Sequence, residues 1–224
     1  MAALEMEGGD QLRVAVVGSG PAGMFCADRL CELAQSGQAN LAPVHLFRSR
    51  SKMSATQMET DHNTVYPKRG AAYFDYGCQY ITAGSDWFRG RMVELEKLGI
   101  AKRSPVGVVS REAGYEPILS DMPTETGGMG VGDPGWVGPE GMWVFQERTM
   151  EKVARERGER LILHHSVRHW PPSPGQKFPD QSPLAVKDFQ KNSDGTWTLR
   201  DGNGACFGPF DILIGAFNLS LSNR

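Results

Sequence analysis

Basic runs are short in this chain: no more than two Lys or Arg stand together, and the formal net charge is -2. Such a chain has no field to draw in a polyanion, which argues against nucleic acid as a partner. Cysteine is scarce too. Cys26, Cys31, Cys78 and Cys206 form no CxxC pair, so a disulfide framework or a zinc site is not expected, and packing in a reducing compartment is. No apolar run approaches the roughly eighteen residues of a membrane span, and none is expected. The opening MAALEMEGGDQ is acidic and lacks the basic segment and apolar core of a secretory signal. Together these absences predict a cytoplasmic protein with no membrane or nucleic-acid partner, and an oligomeric state on which the sequence is silent.

What is abundant is glycine, 27 of 224 residues, with 40% hydrophobic residues. Many turns and close backbone approaches follow, without a collagen-like period. The apolar run Leu12–Val17 predicts a strand, Pro21–Leu33 switches to helical periodicity, and Val44–Phe47 reads as a second strand, parallel to the first. A polar stretch runs from Arg48 to Lys68. A helix is expected over Ser85–Leu98, with Trp87, Phe88, Met92, Leu95 and Leu98 buried, then a strand at Val106–Val109 and a loop over Pro117–Glu140. Further on the pattern predicts a helix over Gly141–Arg157, strands at Leu161–Val167, Leu184–Phe189 and Trp197–Arg200, and a last core strand at Phe210–Ile214. The turn signals at Asn192–Gly195 and Asp201–Gly204 separate the late strands.

Residues 12–23 read LRVAVVGSGPAG, a G-x-G-x-x-G between a strand and a helix. In that setting the spacing has a mechanism: Gly18 permits the tight turn, Gly20 lets backbone approach a pyrophosphate, and Gly23 lets the helix pack against its strand. Unpaired N–H groups of the first helical turn face the phosphates, so no basic side chain is required. Ser19, Pro21 and Ala22 complete the expected cofactor-binding turn. The same rule asks for an acid after the second strand to accept from the ribose hydroxyls, and Arg48 stands there instead. Arg donates and cannot accept. Either Arg48 and Arg50 meet a 2′-phosphate, as NADP would offer, or the acid is lost, or another group takes its place. Loss of such charge-assisted bonds costs on the order of 1.5–3 kcal/mol each.

GSGPAGMFCADRL resembles the opening of FAD-dependent oxidoreductases. FDYGCQYIT at 74–82 and WVGPEGM at 136–142 resemble the renalase-like branch of the flavin amine oxidase superfamily, and the strand order LILHHSVRHW, WTLRDGNG, FDILIGA fits the same family. This resemblance covers most of residues 12–216. It implies an α/β fold: a Rossmann-like, three-layer FAD/NAD(P)-binding domain with a parallel sheet, and part of a second, α+β substrate domain. The implied division is a disordered lead at 1–11, the N-terminal part of the cofactor domain at 12–85, a partial substrate domain at 86–140, a return with a strand meander at 141–216, and an atypical tail at 217–224.

By the same resemblance FAD is the cofactor, with its pyrophosphate on Gly18, Gly20 and Gly23. Asp75, Tyr76, Gly77 and Gln79 would lie near the flavin, Gly141 and Met142 at the start of an interdomain helix, and Val167 where backbone binds adenine. Hydride would pass from a reduced small substrate, a dihydronicotinamide nucleotide or an amine, to flavin and then to oxygen. The chain departs from that pattern at three places: Arg48 replaces Glu, no glycine stands between Arg48 and Arg69, and NLSLSNR follows where the family continues toward a flavin-contacting segment. The expectation at that end is a truncated or alternatively ended product. Two other readings therefore stand beside the FAD enzyme: a non-catalytic or truncated nucleotide-binding remnant, and an NADP-dependent Rossmann dehydrogenase. No catalytic residue is singled out, and flavin hydride transfer does not demand a general base.

Remaining candidates are weaker. His165 and His169 share one strand face and His164 the other, with no third metal ligand nearby, so no metal is expected. GSG at 18–20 does not match a nucleophile elbow. Tyr73, Phe74, Tyr76, Tyr80, Trp87 and Phe88 read as core packing or as a wall beside an isoalloxazine ring.

Overall fold

The computed structural model describes residues 11–47, 58–61, 74–77, 80–104, 135–164 and 186–216. The chain forms two compact units, one from residues 1–54 with 150–224 and one from 55–149.

The first unit is built on a four-stranded parallel sheet. Strand β1 (Val14–Val17) enters helix α1 (Pro21–Gln35), which returns to β2 (Val44–Phe47). Much later come β7 (Leu161–His164) and β11 (Ile212–Gly215), giving the order β11-β1-β2-β7. Register aligns Val17 with Phe47 and Gly215, and Phe47 with His164, so all four strands end along one edge. All four residues of β1 are buried, as a parallel strand covered on both faces requires. Helix α1 packs on β1, β2 and β7. Against the opposite face lies an antiparallel meander of β8 (Val186–Lys191), β9 (Trp197–Asp201) and β10 (Cys206–Phe210), in the order β10-β9-β8. Ala15, Val17 and Phe47 of the parallel sheet meet Val186, Leu199 and Phe210 of the meander in one core. This is the mixed α/β class that the sequence predicts, a parallel sheet flanked by helix and compatible with a Rossmann-like arrangement.

Local chemistry explains the boundaries. Pro21 opens α1 with φ already set, where its missing N–H costs nothing. Gly23, Met24, Ala27, Asp28 and Cys31 form its buried stripe. Asp28 is tolerated there because Arg157, at the end of helix α3 (Met142–Arg157), reaches it: Nε donates to Asp28 Oδ1 at 2.6 Å, and Nη1 to Gln35 Oε1 at 2.7 Å. At the far end of the sheet, the Arg13 guanidinium donates twice to the Asp211 carboxylate, at 3.0 and 2.7 Å, and its backbone N–H donates once more at 2.8 Å. Asp211 thus locks the start of β11 to the start of β1.

That residue also corrects one expectation. A single strand over Phe210–Ile214 is not formed: Phe210 closes the meander, Asp211 turns to Arg13, and Ile212 begins the parallel strand. Asp201 makes the preceding turn, its Oδ1 accepting from the N–H groups of Asn203 and Ala205 at 2.8 and 2.9 Å.

In the second unit, β3 (Met58–Asp61) pairs antiparallel with β4 (Phe74–Gly77), and β5 (Lys102–Ser104) with β6 (Gly135–Val137). Helix α2 (Asp86–Lys97) is capped by Ser85, whose Oγ accepts from Phe88 N–H at 3.3 Å, with Asp86 and Lys97 placed to suit the helix dipole. Its buried residues are Met92 and Leu95; Trp87 and Phe88 are half-buried and Leu98 is exposed, because the helix ends one residue short of it. β3 was not foreseen in the polar stretch, nor β6 in the Gly- and Pro-rich one. Their formation rests on cross-strand pairing, which local composition does not report. The strand expected at Val106–Val109 lies outside the described residues.

Candidate functional site

The carboxyl edge of the parallel sheet gathers four chain ends: the glycine turn after Val17, and the exits from Phe47, His164 and Gly215. β1 sits between β2, reached directly through α1, and β11, which arrives last. A reversal of strand order at that position opens a crevice at the strand ends, and in open α/β sheets ligands bind there.

Within the turn the three glycines do different things. Gly18 has φ +119°, and a Cβ there would stand 2.3 Å from the Ala216 carbonyl oxygen. Only glycine meets both demands. A Cβ on Gly23 would stand 1.7 Å from the Gly18 carbonyl oxygen and 3.1 Å from Ala216 Cβ. Gly20 differs from both: its φ is ordinary, -70°, and among the described residues no atom beyond its chain neighbours lies within 4 Å of the position a Cβ would take. Neither backbone strain nor packing by the described residues requires glycine at position 20. What an absent side chain leaves among them is open space over the N-terminus of α1.

The chemistry of that N-terminus is compatible with an anion. No side chain caps it, no acid stands in its first turn, and Pro21 has no N–H to offer. Met24 N–H already donates to Gly20 O at 2.9 Å, which leaves the Ala22 and Gly23 N–H groups without an intrahelical acceptor. The turn itself is held rigid. Gly18 N–H donates to Phe47 O and Ala216 N–H to Val17 O, each at 2.8 Å.

Gly18, Ser19, Gly20, Pro21, Ala22 and Gly23 are therefore assembled as one turn. Gly77 lies in β4 of the second unit, opposite Met58. Arg48, Gln79 and Val167 lie outside the described residues; β2 ends at Phe47 and β7 at His164.

Beneath this edge is a pair that sequence reading missed. His45 Nδ1 and His164 Nε2 share a hydrogen bond of 2.9 Å across β2 and β7. The His164 ring stacks on Phe47 with centroids 4.0 Å apart, and Phe207 and Phe210 close over the group edge-on. Burial pushes the His45 pKa below that of a free imidazole. The readable signal was position: both are the polar interruptions of strands that are otherwise apolar, VHLF and LILH. Among the described residues no group of three or more His, Cys, Asp or Glu is placed to hold a metal ion.

No protein-family model matches the chain, and no curated protein matches it.

The chemistry of the site thus rests on its own residues. Neither Cys31 nor Cys26 is poised as a thiolate. Burial pushes the Cys31 pKa up to about 11, its Sγ donating to Arg160 O at 3.2 Å, and burial raises Cys26 as well. No helix among the described residues is long and apolar enough to cross a membrane. What the edge offers is a helix start without a side-chain cap, behind a glycine that neither its backbone angles nor the packing of the described residues requires.

Proposed function

We propose that this chain binds FAD through the Gly18–Gly23 turn and serves as the cofactor-holding part of an FAD-dependent oxidoreductase acting on a reduced small molecule. The observation that carries the reading is the open space at Gly20. A pyrophosphate there would accept from the N–H groups of Ala22 and Gly23 and lie at the positive end of α1. Gly18 and Gly23 hold the turn against β2 and β11, so the donors are fixed before the ligand arrives and little ordering cost remains at binding.

The choice of FAD over other dinucleotides comes from the resemblance of the glycine turn, of FDYGCQYIT and of WVGPEGM to the renalase-like flavin amine oxidases. Within that reading the finer fold is a Rossmann-like FAD domain accompanied by part of a substrate domain. Bound flavin would supply hydride acceptance and electron transfer to oxygen. The residues of this chain would bind, orient and shield it. Arg48, following β2 where an acid is usual, favours a second reading in which the turn takes NADP and Arg48 meets its 2′-phosphate.

The test is the visible absorption spectrum of the purified protein before and after addition of FAD and gel filtration, with NADPH titrated in parallel. Retained flavin absorbance supports the FAD reading. A colourless protein that takes up no FAD refutes it, and NADPH binding lost in Arg48→Ala moves the assignment to the second.

A further inference from the structure

The wall behind the glycine turn comes from the far end of the chain. A Cβ on Gly18 would be 2.3 Å from Ala216 O, 2.7 Å from Ala216 C and 3.3 Å from Ala216 Cα, and one on Gly23 would be 3.1 Å from Ala216 Cβ. Ala216 is itself anchored, its N–H donating to Val17 O at 2.8 Å as β11 leaves the sheet. The Ala216 methyl therefore occupies the gap between the end of β11 and the first turn of α1, with no slack on the glycine side.

We infer that Ala216 is a positioning residue for the phosphate-binding turn, its small size setting where the Ala22 and Gly23 N–H groups stand. This rests on the proposed dinucleotide site. A larger side chain at 216 has two ways to fit. It displaces Gly23 and the start of α1 outward, toward the open space at Gly20, or it pulls β11 away from Val17. In either case the donors leave the geometry in which they converge on a phosphate, and a misplaced charge-assisted donor loses most of its value. Ala216 touches no ligand in this account; it acts through Gly18 and Gly23.

The experiment is a size series, Ala216→Gly, Ala216→Ser and Ala216→Val, in the full chain. Dissociation constants for FAD and for ADP are measured by isothermal titration calorimetry, and melting of the ligand-free proteins is recorded alongside. ADP isolates the phosphate turn from whatever the flavin touches. Leu41→Ala serves as the control, since Leu41 is buried at the opposite end of the sheet, bridged to Leu12 ahead of β1.

The expected result is graded. Ala216→Gly stays within about two-fold of wild type, Ala216→Ser is weaker, and Ala216→Val is weaker by roughly ten-fold or more for both ligands, the scale of a modest overpacking. Leu41→Ala lowers the melting temperature yet keeps wild-type affinity in the cold. The inference is overturned if affinity does not follow size, or if Leu41→Ala loses as much affinity as Ala216→Val. Should Ala216→Val not fold, the Gly and Ser variants decide by the same criterion. A wild-type protein that binds neither FAD nor ADP refutes the dinucleotide reading itself, a failure distinct from wild-type binding that is indifferent to residue 216.

Discussion

Substituting alanine at Gly20 and at Gly23 separates a glycine that we propose serves a ligand from one that the fold requires. At Gly23 the new methyl would stand 1.7 Å from the Gly18 carbonyl oxygen, and Gly18 is itself pressed against Ala216. The obstacle is backbone on both sides, so relief requires moving α1 away from the sheet. Overpacking of this kind costs about 3 kcal/mol or more, the upper part of the usual range. For a domain of this size that is a fall of roughly 6–12 °C in melting temperature. At Gly20 the balance is different. The φ of -70° and ψ of 178° suit alanine, and no atom of the described residues beyond its chain neighbours lies within 4 Å. Alanine is a poorer N-cap than glycine by some tenths of a kcal/mol, while its stiffer unfolded chain returns about 0.4–1 kcal/mol. The net is about zero, and melting should move by no more than about 2 °C. The Gly20 methyl instead enters the space assigned to pyrophosphate, and FAD affinity should fall by about ten- to one hundred-fold. Differential scanning fluorimetry without ligand and FAD titration of both variants read the two effects. Wild-type FAD affinity in Gly20→Ala would falsify the assignment of that space. A Gly23→Ala protein that melts with wild type would show that the close approach at α1 carries no energetic weight.

Three further outcomes follow from the charged and titratable groups. Asp28→Ala should destabilise by about 3–5 kcal/mol in urea unfolding, because it leaves the Arg157 guanidinium, little exposed, without its carboxylate; a loss below about 1 kcal/mol would mean that water replaces the pair freely. Burial lowers the folded pKa of His45, so the unfolded chain binds the proton more readily. The stability due to neutral His45 is then complete above the ordinary imidazole pKa of 6.5 and is lost as pH falls below it, and His45→Phe should flatten that part of the stability–pH curve. Asp211 is held down to about 2 by the Arg13 guanidinium and backbone N–H, from an ordinary 3.8. Its contribution is present above 3.8 and lost as pH falls toward 2, so Asp211→Asn should remove part of the acid transition seen by circular dichroism, and an unchanged transition would deny the clamp a role.

Much of the sheet was legible because its signals are local. The apolar run before Gly18, the helical periodicity after Pro21 and the β-branched start of VHLF each report a preference that the tertiary structure leaves in force. Pairings between distant segments left weaker traces. Nothing in METD announces a partner for FDYG, and GWV stands in a glycine- and proline-rich stretch that composition assigns to loop. Asp28 was readable in principle, since it falls one turn after Met24 on the apolar stripe, where a carboxylate must find a cation. Which cation it finds depends on how α3 is brought back to α1. For the site, spacing alone placed Gly18, Gly20 and Gly23. The motif also assigned each a role, but the difference between a role and what enforces it, Gly18 and Gly23 pressed on Ala216, is a fact of packing.

That difference bears on what a glycine motif certifies. The β1–β11 pair is pinned at its entry by Arg13 and Asp211 and at its exit by Ala216 N–H on Val17 O. β2 adds a third restraint through Phe47 O, and Phe47 is in turn fixed by His164, Phe207 and Phe210. The turn between Val17 and Pro21 therefore takes its shape from β7, β10 and β11, all of which lie beyond residue 160. A segment containing only β1, α1 and β2 has the same glycines and lacks the wall that presses Gly18 and Gly23 into place. With two of three restraints gone, its N–H groups would have to be ordered by the ligand, and part of the binding energy would be spent on that ordering. In the folded chain the ordering is complete beforehand, so on the proposed reading the affinity of the turn for a phosphate would be a property of the whole α/β unit rather than of the motif.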